Sequence, residues 1–459
     1  MSVPTPQGHA KSQGKFPSDV SVFLTAAKAA PDSPETYQFL ASLLAGFDGM
    51  SLEAKETALV GLEDAAKSAP KSAHLNRVLQ ALSTHDEMEA RGVTGQAGAL
   101  PTRLQGFSLP VGKTPNFLPT LTFSDLSIPK IVKNQDSGGD TLIITDAFNR
   151  QTLKGREKMV TVTEPSVEVV RDILAMPSFG RIKNVLGVGG GASLDVARAV
   201  AVKASLTLIT SLLSTNCIAN NRSVLDSVAK AFSYQSATPR KLIVSIADMM
   251  SQDPKIRKHW TQSGLGDFFG GINAFFERQE NIGGALTRVA VLAQEPTLET
   301  ALEWVLRSFP GYDDADALKR ITEILYASGA HDVVYGTNAD RIGGEHLFYK
   351  SVMELYPQLR NSGPTHGQLV AMATLVGAKR FSKKTGDDSL YRDLRAAFVR
   401  LGLPVTYAAI GALGLRREQM HASFLRMTKA DFKSSGLGDY IREHGLEIVD
   451  EVFDGATPR

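Results

Sequence analysis

The chain lacks the features that mark several specialised protein classes. Its 459 residues include one cysteine, Cys217, which excludes an internal disulfide and a multi-thiolate zinc site. No apolar run approaches the length of a membrane span, so we expect none. The formal net charge is +2 with no basic block, which argues against a nucleic-acid partner. The N-terminus is polar and has no apolar core of a secretory signal, so we expect a cytoplasmic protein.

The N-terminal fifth of the chain is predicted to be a separate helical extension. After a polar tail over residues 1–16, residues 17–92 are rich in Ala, Leu, Glu and Lys at helical spacing. A stretch at 26–44 resembles one at 65–83, which suggests two helical hairpins. These hairpins either pack on the rest of the protein or dock a partner. Gly and Pro residues over 89–106 indicate a linker.

Short apolar segments alternate with helical ones in the middle of the chain, whereas the remainder is helical. Strands are predicted at 141–146, 159–164, 184–191, 206–211 and 240–248. Long helices are predicted at 281–307, 314–330, 366–384 and 389–401. Such alternation is typical of a parallel sheet covered by helices. The predicted regions are therefore the extension with its tail and linker (1–106), an α/β domain (107–251) and an all-helical domain (252–459).

Three consecutive glycines follow a strand and precede a helix in the stretch "GVGGGASLDVAR" (187–198). Glycines at such a turn let the backbone approach a ligand, and the N–H groups and dipole of the following helix favour an anion. Side chains at Gly189, Gly190 or Gly191 would occupy the space of a phosphate. The spacing departs from the usual dinucleotide fingerprint, so a turn required only for packing is the alternative. Asp195 either favours the helix N-terminus electrostatically or contacts a cofactor.

Two further strand ends carry polar residues. The stretch "TSLLSTNCIANNRSV" (210–224) has small polar side chains: Ser211, Ser214, Thr215, Asn216, Asn220 and Asn221. At the carboxyl edge of a parallel sheet such a loop faces the ligand crevice, although an ordinary capping loop is the alternative. Asp146 ends another strand. Its carboxylate could accept a hydrogen bond from an adenosine ribose hydroxyl, which would disfavour a 2′-phosphate.

Two of the nine histidines lie in unusual settings. His346 and His366 each follow small residues and precede an apolar helix. Asp267 lies among glycine and phenylalanine residues, where a carboxylate is costly to bury unless it is paired or bound to metal. Two histidines and one carboxylate with an open position suit a catalytic zinc or iron site. No local spacing links the three, so unrelated core and capping residues are the alternative.

Six motifs occur in the order found in a known superfamily. They are "GVGGGASLDVAR", "LITSLLSTNCIAN", "LIVSIAD", "GLGD", "GGEHLF" and "THG". With them the chain resembles the iron-containing alcohol dehydrogenase and dehydroquinate synthase-like superfamily, and within it the glycerol-1-phosphate dehydrogenase branch. The resemblance covers roughly 107–459 and leaves the N-terminal extension outside.

The resemblance implies a Rossmann-like α/β domain and a helical domain with the active site between them. It implies NAD or NADP as cofactor, a divalent metal (zinc or iron), a small-molecule substrate and a homo-oligomer. Matching residues for the nucleotide are Gly189, Gly190, Gly191, Asp195, Ser211, Ser214 and Asn220. Matching residues for the metal are Asp267, His346 and His366.

Three positions depart from the branch that the chain resembles. Asn216 stands where that branch has a substrate-contacting Asp, Thr215 replaces a His, and Lys350 replaces another His one turn after His346. Losing a carboxylate and gaining an ammonium changes which ligand fits. We therefore expect Asn216 and Lys350 to contact substrate, with Lys350 favouring a phosphate or carboxylate; a solvated lysine is the alternative.

The predicted function is metal-dependent hydride transfer between NAD(P) and a small polyol or alcohol that carries a phosphate. Asp267, His346, His366 and Lys350 are the predicted catalytic residues. The first alternative is a dehydroquinate synthase-like sugar phosphate cyclase, which uses the same groups but returns its cofactor unchanged. A second alternative is a non-catalytic scaffold, which the intact metal and glycine motifs disfavour.

Overall fold

The structure is a computed structural model. It describes residues 119–136, 138–153, 158–201, 204–215, 217–226, 231–292, 296–335, 342–360, 362–433 and 435–454. The predictions for the N-terminal extension and for Asn216 lie outside the described residues.

A six-stranded parallel sheet forms the first part of the described chain. The described residues contain eight strands, six of which form this sheet. They are β1 (Thr120–Ser124), β2 (Thr141–Asp146), β3 (Met159–Val162), β4 (Asn184–Val188), β5 (Ser205–Thr210), β6 (Arg222–Asp226), β7 (Ala231–Gln235) and β8 (Lys241–Ser245). The order across the sheet is β1-β8-β5-β4-β2-β3, and every neighbouring pair is parallel. The strands β6 and β7 form a separate antiparallel pair. Strand β1 and this pair were not predicted from the sequence.

Both faces of the sheet are buried, which explains the continuous apolar character of its strands. Along β2, Leu142 and Ile144 belong to a large core that continues into the helical part of the chain. Ile143 points to the other face and packs with Ile128 and Val132 of the first helix. Because successive side chains in a strand alternate between faces, a strand buried on both sides has no polar face.

Helices cover the sheet and then make up the rest of the described chain. Those beside the sheet are α1 (Ile128–Gln135), α2 (Ala147–Thr152), α3 (Val167–Leu174), α4 (Gly191–Val200) and α5 (Ile246–Ser251). Those that follow are α6 (Pro254–Asn281), α7 (Arg288–Leu292), α8 (Pro296–Ser308), α9 (Ala315–Tyr335), α10 (Gly344–Leu355), α11 (His366–Thr385), α12 (Ser389–Leu401), α13 (Tyr407–Ala412), α14 (Arg417–Arg426), α15 (Gly436–His444) and α16 (Glu447–Phe453). The described chain contains no helix that is both long and apolar enough to cross a bilayer.

The prediction of an α/β domain followed by helices is confirmed, but one helix prediction is wrong. Residues 281–307 do not form a single helix, because α6 ends at Asn281 and two further helices follow. Gly283 lies in the left-handed region at φ +64, a conformation that stops a helix. The apolar spacing of the segment reflects packing on the core and not helical continuity.

The glycine turn and Asp146 lie at the switch point of the sheet. From β2 the chain passes outward to β3, and it then returns to β4 and β5 on the other side of β2. The connections after β2 and β4 therefore diverge, and a crevice opens between their carboxyl ends. Asp146 ends β2 and Gly189 follows β4, so both border this crevice.

Candidate functional site

Two long helices, α6 and α11, cross closely beside the crevice. A Cβ atom on Gly367 would lie 1.7 Å from the carbonyl oxygen of Ser263, and one on Gly266 would lie 2.2 Å from the carbonyl oxygen of Gly367. Both glycines are therefore required for the approach of the two backbones. Since Asp267 and His366 are their immediate neighbours in the chain, the crossing places these two side chains together.

Asp267, His346 and His366 converge on one point. Their candidate ligand atoms all lie within 4.8 Å of one another. The Nε2 atoms of both histidines lie 3.2 Å from the same oxygen of Asp267, Oδ1. The carboxylate is 3 % exposed, and the histidine side chains are 14 % and 35 % exposed, so the cluster is open on the side of His366. Two imidazole nitrogens and one carboxylate oxygen form a donor set that suits zinc or ferrous iron.

The electrostatics of the cluster favour the charged forms of Asp267 and His346. Burial by itself would raise the pKa of Asp267, but the two histidines hold it well below its usual range. Burial would likewise lower the pKa of His346, but hydrogen bonds to Asp267 and Glu345 outweigh this and raise it to about 9. Without a metal the centre is thus an imidazolium beside a carboxylate. A divalent cation at the same point would replace the proton.

A buried acid, Glu345, orients His346. Its Oε1 lies 2.7 Å from Nδ1 of His346 and also accepts the N–H of Gly343 at 2.7 Å. Its Oε2 accepts from Asn273 on α6 at 2.6 Å. Because Nδ1 is engaged by the carboxylate, Nε2 is the nitrogen that faces Asp267 and would face a metal. Glu345 is fully buried, and these donors compensate its burial.

The glycine turn is shaped by two different constraints. Gly189 has φ +128, and a Cβ there would lie 2.0 Å from Oδ2 of Asp146, so this glycine is required by its own conformation and by the carboxylate. At Gly190 the nearest atom to a Cβ would be Cδ1 of Leu212, at 3.4 Å. At Gly191 it would be Cγ2 of Thr215, at 3.8 Å. A side chain at either position would project into the space beside the loop after β5.

Asp146 links the end of β2 to helix α2 and to the glycine turn by hydrogen bonds. It caps α2 by accepting from the backbone N–H of Asn149 at 2.7 Å, and its other oxygen accepts from the N–H of Gly190 at 3.3 Å. Asp195 is the fifth residue of α4, about one turn after Gly191, and it forms an ion pair with the buried Arg198 at 2.9 Å. The predicted nucleotide roles of both acids stay predictions.

The loop after β5 brings its polar residues to different partners. Ser214 faces the glycine turn, since Cβ atoms at Gly190 and Gly191 would each lie 3.9 Å from its Oγ. Ser211 is held by Gln252, whose amide donates to its carbonyl oxygen at 2.9 Å and its Oγ at 3.3 Å. Asn220 accepts the backbone N–H of Arg222 at 3.3 Å. Ser214 therefore lies at the glycine turn, whereas Ser211 contacts Gln252 and Asn220 contacts Arg222.

Lys350 lies on α10, one turn beyond His346. Burial lowers its pKa, and among the described residues no acid offsets this effect. An anion that binds beside Lys350 would raise this pKa again, because a nearby negative charge favours the charged form of the ammonium group.

Three side chains at the centre were missed or undervalued from the sequence. Glu345 is not among the residues predicted from the sequence, although an acid between a glycine and a histidine at the start of an apolar helix indicates a buried, partnered carboxylate. The sequence identifies Thr215 as a polar residue of the loop and as a replacement for a His, but not its contact: the hydroxyl donates to Oδ2 of Asp267 at 3.1 Å. Tyr349 packs edge-on against His366 with ring centroids 4.3 Å apart. No sequence signal identifies the last two contacts.

Curated proteins of similar sequence include glycerol-1-phosphate dehydrogenases [NAD(P)+]. The one from Sulfolobus acidocaldarius is 27% identical over 239 residues, which cover 50% of this chain and 62% of that protein. The one from Aeropyrum pernix is 26% identical over 292 residues, which cover 57% of this chain and 78% of that protein. The alignment thus spans less than two thirds of the Sulfolobus relative. No family model matches the chain.

Solved structures share the fold. A probable glycerol dehydrogenase from Sinorhizobium meliloti 1021 superposes with a TM-score of 0.52 at 14% identity, covering 73% of this chain and 97% of that one. An iron-containing alcohol dehydrogenase from Thermococcus thioreducens has a TM-score of 0.50 at 16% identity, with coverage of 74% and 99%. At these identities the likeness concerns the architecture: a parallel sheet followed by helices.

Proposed function

We propose that this chain belongs to the iron-containing alcohol dehydrogenase and dehydroquinate synthase-like superfamily and is a metal-dependent NAD(P) oxidoreductase, on the basis of its similarity to glycerol-1-phosphate dehydrogenases. Its substrate in this proposal is a small polyol or ketone that carries a phosphate, of the glycerol-1-phosphate type. The observation that carries the proposal is the convergence of Asp267, His346 and His366 within 4.8 Å beside the crevice at the switch point of the sheet.

The three convergent side chains fit a divalent cation. Their donor atoms are the two Nε2 atoms and Oδ1 of Asp267, and the 35 % exposure of the His366 side chain leaves a side open to substrate. When bound, the cation supplies Lewis acidity toward a substrate oxygen, and the nicotinamide gives or takes the hydride. The protein keeps the donors in place: Glu345 fixes the ring of His346, and the glycine crossing fixes Asp267 against His366.

The crevice fits the pyrophosphate of a dinucleotide. Helix α4 begins at Gly191 with Gly190 as its N-cap, and Cβ atoms at these two positions would meet no atom closer than 3.4 Å. A helix N-terminus favours negative charge at this place. In the proposal Ser214 donates to the same phosphate region, while Ser211, Asn220, Asp146 and Asp195 line the nucleotide further away.

Lys350 is the proposed contact to the phosphate of the substrate. Its partly buried ammonium lies one turn from His346, so a substrate whose oxygen lies at the metal position would present its anionic end nearby. A charge-assisted hydrogen bond in a partly dry site contributes about 1.5–3 kcal/mol. Asn216, which lies outside the described residues, is the second proposed substrate contact.

The test is the consumption of NADH or NADPH with a panel of small carbonyl compounds, including dihydroxyacetone phosphate and its unphosphorylated analogue. Metal-dependent loss of reduced-nicotinamide absorbance with the phosphorylated compound is the expected result. A cyclase would return its cofactor and give no net loss; the resemblance to glycerol-1-phosphate dehydrogenases does not favour it. Absence of turnover with every compound, despite metal and nucleotide binding, would refute the proposal.

The assembly and setting of the protein are further parts of the proposal. A homo-oligomer is proposed because members of the superfamily that the chain resembles commonly associate, and the cytoplasmic location expected from the sequence is part of the same proposal. The N-terminal helices are proposed to pack on the enzyme or dock a partner. Sedimentation of the full chain and of a variant that begins at residue 107 would test the first and third points.

A further inference from the structure

Thr215 lies between the two halves of the proposed site. Its hydroxyl donates to Oδ2 of Asp267 at 3.1 Å, which is the carboxylate oxygen that does not face the histidines. Its methyl group lies on the side of the glycine turn, where a Cβ at Gly191 would come within 3.8 Å of Cγ2. One short side chain therefore contacts the metal-ligating acid and borders the space proposed for the pyrophosphate.

The contact joins segments that are distant in the sequence. Thr215 belongs to the loop after β5, next to Ser214, whereas Asp267 is in the middle of α6. The positions of the loop and of the carboxylate are thus linked by a hydrogen bond between residues 52 apart. Any ligand that orders the loop also favours the rotamer of Asp267 in which Oδ1 faces the two histidines, because the hydroxyl holds the other oxygen.

We propose that Thr215 is a positioning residue that couples nucleotide binding to metal binding through its hydrogen bond to Asp267. The inference rests on the proposed function. A bound nucleotide orders the loop, the loop holds the carboxylate, and the carboxylate binds metal with less loss of conformational freedom. Because such coupling is reciprocal, the bound metal must strengthen nucleotide binding by the same factor.

The experiment measures four dissociation constants on the full chain. NADPH binding is followed by fluorescence with and without Zn²⁺, and Zn²⁺ binding by competition with a chelator, with and without NADPH. For the wild type we expect each ligand to tighten the other by about fivefold or more, the lower end of typical coupling. Wild-type protein that binds neither ligand would overturn the proposed function and the inference with it.

Two substitutions at Thr215 separate its hydroxyl from its shape. In Thr215→Val the volume stays and the donor is lost, so we expect the coupling factor to fall to about one and Zn²⁺ affinity to fall about tenfold. NADPH affinity without metal should not change. Thr215→Ser retains the donor and should retain the coupling. Wild-type coupling in the valine variant, or loss of coupling in the serine variant, would overturn the inference.

Thr374→Val is the matched control. Thr374 is buried, and its hydroxyl donates to the carbonyl oxygen of Val370 within α11. The substitution removes one buried hydroxyl from a helix of the site without touching the metal ligands. We expect wild-type coupling in this variant. Loss of coupling here as great as in Thr215→Val would make the effect a general loss of packing and would overturn the inference.

Discussion

Protons and metal should compete for Nε2 of His346, so the apparent metal affinity should depend on pH. The contacts of the histidine ring determine how steep that dependence is. In the absence of metal both ring nitrogens face carboxylates, Nε2 at 3.2 Å from Asp267 and Nδ1 at 2.7 Å from Glu345. This arrangement raises the pKa of His346 to about 9. A metal needs the lone pair of Nε2, so one proton must leave before the metal binds.

The sign and magnitude follow from this pKa. Below it the imidazolium is the stable form, and each further unit of acidity lowers the apparent metal affinity about tenfold, or about 1.4 kcal/mol. Between about pH 8 and about pH 6 we therefore expect affinity to fall about 100-fold from this residue alone. The pKa of Asp267 is well below its usual range, so its carboxylate remains charged across this window and adds nothing to the slope.

The assay is Zn²⁺ competition against a chelator of known proton affinity at several pH values. Glu345→Gln is the matched variant, because the amide keeps the shape of the side chain and removes its charge. Without that charge the pKa of His346 should fall, and the dependence on pH should become shallower. A wild-type affinity that stays constant over the window would refute the reasoning, since it would show that no proton leaves His346.

Three further outcomes are expected. His366→Ala should abolish metal-dependent turnover and leave NADPH binding measured without metal intact; unchanged turnover in a steady-state assay would contradict the metal assignment. Gly189→Ala should destabilise the fold by about 2 kcal/mol in urea unfolding because of its positive φ, whereas Gly190→Ala should unfold like the wild type but bind NADPH less tightly. Lys350→Met should raise KM for the phosphorylated ketone about tenfold or more; an equal rise for the unphosphorylated analogue would contradict a phosphate contact.

Local pattern predicted the units of the fold because they follow from short-range physics. The runs at 141–146 and 184–188 are apolar because both faces of the sheet are buried, and their length fits strands. The glycines before α4 indicated a strand-to-helix turn, which the structure has. The prediction of one helix over 281–307 is wrong, because apolar spacing indicates which residues are buried but not where a helix ends. The helix ends just before Gly283, which has a positive φ.

The metal-ligand candidates illustrate a different limit. Asp267, His346 and His366 span 99 residues from first to last, so no spacing rule joins them, and they were grouped by their settings and by resemblance. The structure brings them together because Gly266 and Gly367 let two helices cross at close range. Such a crossing depends on two glycines a hundred residues apart, each of which looks ordinary in its own segment.

The sequence by itself determined the class of fold, the glycine turn and the chemical types available for a metal centre, since these depend on composition and local order. Only the tertiary structure decided that Glu345 holds His346, that Gly189 makes room for Asp146, and that Thr215 joins the loop to Asp267. These contacts are hydrogen bonds and close approaches of a few ångströms between distant segments. Their existence depends on the packing of the whole sheet and helix assembly, which no short stretch of sequence encodes.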